Sequence, residues 1–131
     1  MNQYYLIKQV SEIIGLPASN IRYYEKEGLI KNIARNAAGV RTFTQQDIKW
    51  IEFLKRLKDM EVPISKMKEY ADLREQGDVT ARQRKELLQA HRDILCKKIK
   101  RLNSEVKLLD DKINHYQILE EHLNEKKSLR N

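Results

Sequence analysis

The stretch Ile21-Arg22-Tyr23-Tyr24-Glu25-Lys26-Glu27-Gly28-Leu29-Ile30 decides how this chain reads. It lies just past the turn Gly15-Leu16-Pro17 and puts an arginine and two adjacent tyrosines on a short helix. Such a helix offers one strong cation, two hydroxyl-tipped rings and little apolar surface. That composition suits an element pressed against a polyanion better than one enclosed in a core.

Upstream, residues 4–14 carry Leu6, Ile7, Val10, Ile13 and Ile14 at helical spacing, with Lys8, Gln9, Ser11 and Glu12 between them. Gly15 stops that helix, and Pro17 can open the next in its first turn, where a missing N–H is harmless. Two short helices joined so tightly form a helix-turn-helix, whose second helix enters a groove of DNA. Downstream, Asn32, Asn36 and Gly39 are turn formers, while Ile33, Val40, Thr42 and Phe43 favour strands. The spacing predicts a β-hairpin, or wing, with its tip near Asn36–Gly39 and with Arg35 and Arg41 on either side.

Thr44 and Asp47 have the spacing of a capping box. The helix they open carries Ile48, Ile51, Leu54 and Leu57 on one side, broadened by Trp50 and Phe53. It should end near 60–62, before Pro63. A fourth helix follows with Ile64, Met67, Tyr70, Ala71 and Leu73, broken at Gln76-Gly77-Asp78. Thr80 and Gln83 offer a second capping box. From there to about Leu123 the chain has neither glycine nor proline.

In this last run Leu88, Leu95, Leu102, Leu109, Tyr116 and Leu123 recur every seventh residue. Arg92, Ile99, Val106, Ile113 and Glu120 follow the first five at +4. A heptad repeat with that offset is a coiled-coil seam. In a lone chain half of its apolar stripe would face water, so the reading is of a dimer through Leu88, Leu95, Ile99, Leu102, Val106, Leu109, Ile113 and Tyr116. β-Branched residues at one seam position with leucine at the other favour parallel pairing. Arg92 and Glu120, at opposite ends, could pair only across an antiparallel crossing.

The 131 residues carry a formal charge of +7. The excess is spread evenly: residues 1–70 hold 12 Lys/Arg against 8 Asp/Glu, and the remainder 14 against 11. Net charge alone is therefore weak support for DNA binding, and placement carries the case. One cysteine, Cys96, excludes an intrachain disulfide and a multi-thiolate metal site. His91, His115 and His122 lack metal-ligand spacing, and no catalytic constellation occurs, so neither metal, cofactor nor enzyme activity is expected. The start lacks the apolar core of a secretion signal and no run is long enough to span a membrane, so the chain reads as soluble and cytoplasmic.

The order of these motifs, with Arg-Tyr-Tyr-Glu, Gly-Leu-Ile and a wing of Arg-Asn-Ala-Ala-Gly-Val-Arg-Thr-Phe, resembles the MerR family of bacterial transcription regulators. The resemblance is close over the first ~75 residues and architectural beyond. It implies a mainly α fold, with a winged helix-turn-helix over residues 1–75, a dimerisation helix over 79–125 that pairs antiparallel, and a tail over 126–131. It also implies a homodimer on a pseudo-palindromic operator in the promoter spacer, which distorts the DNA so that RNA polymerase engages in response to an effector. Arg22, Tyr23 and Tyr24 would contact the DNA, and Arg41 and Lys58 would hold its backbone. Asn20 is a weaker base-edge candidate, and Arg35 a second wing cation. Most of these would position rather than specify, leaving specificity to the ease of bending the operator.

There are departures. Pro17 and Pro63 stand where the family has a Ser or Thr cap. No cysteine stands after Cys96, where the metal-sensing branch has its own, and the sequence ends about where its coil does, whereas the multidrug-sensing branch adds a large ligand domain there. The region after the wing is more similar to the short aldehyde- and nitrosative-stress branch. That branch commonly carries a reactive cysteine where this chain has Phe53, Leu54, Lys55 and Arg56, so thiol sensing there is not available, and a small effector is of unknown identity. Cys96, beside Lys97 and Lys98, is a redox-sensor candidate, against the plainer reading of a small packed hydrophobe. Two other classes fit parts of the pattern: a DNA-architectural or recombination accessory protein such as an excisionase, and an adaptor built on the coiled coil.

Overall fold

The computed structural model describes residues 3–129. Its elements are α1 (Ile7–Ile14), α2 (Ala18–Lys26), β1 (Ala34–Arg35), β2 (Arg41–Thr42), α3 (Gln45–Asp59), α4 (Ile64–Glu75), a 3₁₀ turn (Asp78–Thr80) and α5 (Ala81–Leu129). The expected mainly α class holds. The chain divides into a head, ending at Leu88, and a second unit from Gln89 onward.

In the head, α1 starts later than its apolar pattern suggests. The backbone of Tyr5 pairs with Phe43 in both directions, at 2.9 and 2.8 Å, and so adds a strand-like segment beside the wing. The N–H of Leu6 then donates to Gln9 Oε1 at 2.8 Å, and the helix follows. Only Val10 and Ile14 of its stripe are buried, while Leu6 and Ile13 face outward.

Gly15 takes the left-handed conformation, φ 75°, and its N–H donates to the Ser11 carbonyl. Pro17 is the residue before α2 rather than its first helical residue, and Pro63 plays the same part before α4; neither helix has a side-chain cap. The wing has the register Ala34↔Thr42 and Arg35↔Arg41. Its tip is held by Asn36, whose Oδ1 accepts from the N–H groups of Ala38 and Val40.

The Thr44–Asp47 box is fully formed: Asp47 N–H donates to Thr44 Oγ1, and Thr44 N–H to Asp47 Oδ2. From it α3 runs through the middle of the core with Ile48, Trp50, Ile51, Leu54 and Leu57 buried. Truncating Leu54 or Ile51, both fully enclosed, should destabilise the head by about 2–5 kcal/mol. Ile21, Tyr24, Leu29, Phe43, Met67 and Ala71 complete the same cluster.

At the end of α4, Thr80 is buried and its hydroxyl turns back to the carbonyls of Leu73 and Gly77. It thus secures the turn behind it as well as preceding α5. That helix reaches Leu129, so residues 126–129, expected as tail, are helical; the rest of the expected tail lies outside the described residues. In the second unit none of the described residues is buried. The helix therefore has no core of its own.

Candidate nucleic-acid interface

Three devices fix the pose of α2. The left-handed Gly15 reverses the chain after α1. Lys55 of α3 donates from Nζ to the Ile14 carbonyl at 3.0 Å and so satisfies an acceptor at the end of α1. The Ser11 hydroxyl donates to the Leu16 carbonyl at 2.6 Å across the turn. Lys55 was legible in the sequence only as a residue in place of a sensing cysteine. Nothing in its neighbourhood pointed to a cap on a helix 41 residues away.

Helical spacing then divides the Arg-Tyr-Tyr motif. Ile21 and Tyr24, three apart, face the core, while Arg22 and Tyr23 face outward. Tyr24 is 3% exposed and Tyr23 is 47% exposed. Tyr23 thus presents its ring outward, whereas the Tyr24 ring is enclosed in the core. The spacing from Ile21 was the signal that could have shown this.

The Tyr24 hydroxyl is buried with no hydrogen-bond partner among the described residues. Burial pushes it above the usual tyrosine value of 10.0, and the Asp59 carboxylate and Tyr23 push the same way.

Asn20, Tyr23 and Tyr24 line a groove of about 200 Å³ together with Lys58, Val62, Ile64 and Met67. Four of the expected site residues, from α2 and the end of α3, are thus brought together. Arg22 is exposed on α2. Arg41 and Arg35 are elsewhere on the wing and already engaged. Arg41 Nε donates to Glu25 Oε1 at 2.7 Å. Arg35 Nη1 donates to the Gly39 carbonyl at 2.7 Å and closes its own turn.

Residues that sequence reasoning passed over hold this face to α4. Lys31 reaches both Asp72 and Glu75 at 2.8 Å, and Lys68 reaches Glu27 at 2.8 Å. The hydrogen bonds from Asp72 and then Glu75 hold the Lys31 ammonium above its usual 10.5. The Lys68 hydrogen bond holds the Glu27 carboxyl below its usual 4.5, and the same bond raises Lys68. These partners lie 41 or more residues apart in sequence, beyond the reach of any periodicity. Trp50 Nε1 also donates to the Leu29 carbonyl at 2.8 Å, which ties α3 to the segment after α2.

On α5, the seam residues Leu88, Ile99, Leu102, Val106, Leu109, Ile113 and Tyr116 are exposed, and Leu95 is half-buried. Leu109 is 64% exposed. Cys96 is a free, exposed thiol. Among the described residues no group of three or more His, Cys, Asp or Glu side chains could hold a metal ion, and no helix is long and apolar enough to cross a membrane.

Residues 5–73 match the family described as MerR HTH family regulatory protein. The chain is 40% identical over 89 residues to the HTH-type transcriptional regulator AdhR of Bacillus subtilis, a match covering 68% of this chain and 64% of that protein. It thus spans just under two thirds of that relative's length. Among solved structures it is similar to a MerR family transcriptional regulator from Listeria monocytogenes, with TM-score 0.83 and 34% identity over 97% of this chain and 99% of that one. It is also similar to HiNmlR, a MerR family regulator lacking the sensor domain and bound to promoter DNA, with TM-score 0.74 and 31% identity over 88% and 91% of the two chains. These relatives are named regulators, not enzymes. With its turn, wing and long fifth helix in that order, this chain belongs to the MerR family and is a helix-turn-helix transcriptional regulator.

Proposed function

We propose that two copies of this chain bind a pseudo-palindromic operator in a promoter spacer and control transcription by distorting the duplex between two heads. The observation that carries this is the outward pair Arg22 and Tyr23 beside the groove of Asn20 and Lys58. Asn20 and Tyr23, three apart, put an amide and a hydroxyl on the groove side of a rigidly held helix, and the exposed Arg22 adds a cation next to Tyr23. Arg22 and Lys58 supply phosphate contacts, Tyr23 a hydroxyl donor, and Asn20 the group best suited to a base edge. Arg41 and Arg35 add the wing. Tyr24 lines the same groove, and its hydroxyl, without a partner among the described residues, supports a phosphate oxygen as acceptor on DNA.

Pairing through α5 follows from its uncovered seam. A helix with an apolar stripe and no buried residue is covered by something in solution, and the heptad spacing suits an identical helix. We assign the antiparallel arrangement, in which Arg92 of one copy meets Glu120 of the other. Promoter DNA as partner is supported by the relative captured on it, and RNA polymerase follows from an operator between promoter elements. The place of action is then the cytoplasm.

The test is a gel shift with promoter fragments from the chain's own genome, run on the wild-type protein and on Arg22→Ala and Val106→Glu. Arg22→Ala should lose the specific shift and stay dimeric. Val106→Glu should become monomeric and lose it by a different route. A monomeric wild type, or an Arg22→Ala protein with full affinity, overturns the reading.

A further inference from the structure

The head has a second hollow, of about 490 Å³, that shares no lining residue with the groove at α2. Its aromatic part is Trp50, Phe53 and Tyr70. Trp50 and Tyr70 are stacked at 12° with centroids 5.9 Å apart, and Phe53 lies 6.1 Å from Trp50 and 5.5 Å from Tyr70. Its charged part is Lys49, Arg74 and Arg84, with no carboxylate among the lining residues. The Arg74 guanidinium lies 4.3 Å from the Trp50 ring centroid. Arg84 is largely buried and donates through Nη2 to the Gly77 carbonyl at 3.1 Å. Its Nε is buried without a hydrogen-bond partner among the described residues. The nearby Asp78 carboxylate, 3.9 Å from Nη2, is fully exposed to water.

Each feature points to the same kind of ligand. The volume falls within the ~300–1,000 Å³ of small-molecule sites. Grouped aromatic side chains favour a flat apolar ring. Three cations in a concavity with no lining carboxylate focus a positive potential, and two of them are guanidinium forks shaped for a carboxylate. A buried donor without an acceptor marks a place where a partner is missing. We propose that this hollow binds planar aromatic carboxylates. The ring lies against Trp50, Phe53 and Tyr70, and the carboxylate takes up Arg74 and Arg84, with Lys49 adding charge at the side.

The location gives the ligand a consequence for DNA. Tyr70 and Arg74 are on α4, and the same helix holds Glu27 through Lys68 and Lys31 through Asp72 and Glu75. A ligand that shifts α4 therefore acts on the end of α2, and operator affinity should change when the hollow is filled. This effector role rests on the DNA reading above; binding of the ligand does not.

Trp50 is the only tryptophan in the chain, and its indole N–H is held by the Leu29 carbonyl, so it gives one reporting resonance. The full-length protein is titrated, without DNA, with indole-3-acetate, with its uncharged analogue tryptophol and with acetate. Indole-3-acetate should move the Trp50 signal saturably. Tryptophol should bind about tenfold more weakly or worse, and acetate should leave the signal in place. Arg74→Gln and Lys49→Gln should each weaken indole-3-acetate, the first by about tenfold, and leave tryptophol little changed. Lys49 is exposed, so its variant keeps the fold, and the head amide signals check this for both. No saturable shift from either ring compound, equal affinity for tryptophol, or full affinity for indole-3-acetate in both variants overturns the site. In a second arm the same compound is titrated into the protein–operator complex. Unchanged operator affinity at saturation overturns the effector role, whereas ligand binding by a protein that shifts no duplex overturns the DNA reading alone.

Discussion

Arg41 Nε donates to Glu25 Oε1 at 2.7 Å, and this bond joins the second strand of the wing to the last turn of α2. Two elements proposed to touch DNA are thereby fixed to each other, through side chains that are each about 30% exposed or less. The pairing makes two physical arguments disagree. If bare charge governs binding, Glu25→Ala removes a negative group from the interface and raises affinity. If positioning governs, Arg41 loses its orientation and affinity falls. We expect a fall of about tenfold, since a misdirected charge-assisted contact is lost. The salt dependence should become shallower by about one phosphate contact. Binding isotherms at several salt concentrations separate the two, and a rise in affinity defeats the positioning argument.

The two tyrosines should behave as opposites. Tyr23→Ala removes an exposed ring, so the melting curve should barely move while operator binding is lost. Tyr24→Ala opens a cavity in the core and should destabilise the head by about 3–5 kcal/mol. Tyr24→Phe removes only the buried, unpartnered hydroxyl. In the free protein it should be neutral or stabilising by up to about 1 kcal/mol. On DNA it should weaken binding if a phosphate is the acceptor. Chemical denaturation and gel shifts on the three variants check this, and a stable Tyr24→Ala protein is the adverse outcome.

Lys55→Met keeps the aliphatic stem but leaves the Ile14 carbonyl without its donor. The loss should be about 1–2 kcal/mol, because the bond is charge-assisted and part-buried. Urea unfolding at fixed protein concentration measures it. Full stability would mean that water replaces the ammonium at no penalty.

Stability should fall at both ends of the pH range. The folded Glu27 carboxyl titrates below its usual 4.5, so its contribution is complete above that value and lost as pH falls through the lowered one. Lys31 and Lys68 are raised above 10.5 and Tyr24 above 10.0. Their contributions are complete below those values and lost as pH rises through the raised ones. Between these limits the four groups leave stability level. Glu27→Gln should make the acid limb shallower without altering the alkaline fall due to Tyr24. An acid limb identical to wild type would show that the exposed Glu27–Lys68 pair is too well solvated to matter.

Most of the local structure was legible because its causes are local. Gly15, the Thr44–Asp47 box, Asn36 at the wing tip and the prolines before α2 and α4 act on their immediate neighbours, and the structure has each element where they imply. The late start of α1 was not legible: the Tyr5 backbone is taken by Phe43, 38 residues on, and that pairing overrides a helical pattern. The candidate interface divided in the same way. Asn20, Tyr23 and Lys58 do meet at one groove, but the occupied state of Arg41, the role of Lys55 and the clamps of Lys31 and Lys68 depend on partners far away in sequence.

Composition, periodicity and caps were therefore sufficient to define a mainly α head with a turn, a wing and a heptad-bearing last helix, since each of these is set within one or two turns of chain. Tertiary structure alone decided that Arg41 is held by Glu25, that Lys55 caps α1, and that Trp50, Tyr70, Arg74 and Arg84 surround one hollow. Those outcomes come from how helices pack against each other, and the spacing of residues along any one helix does not contain them.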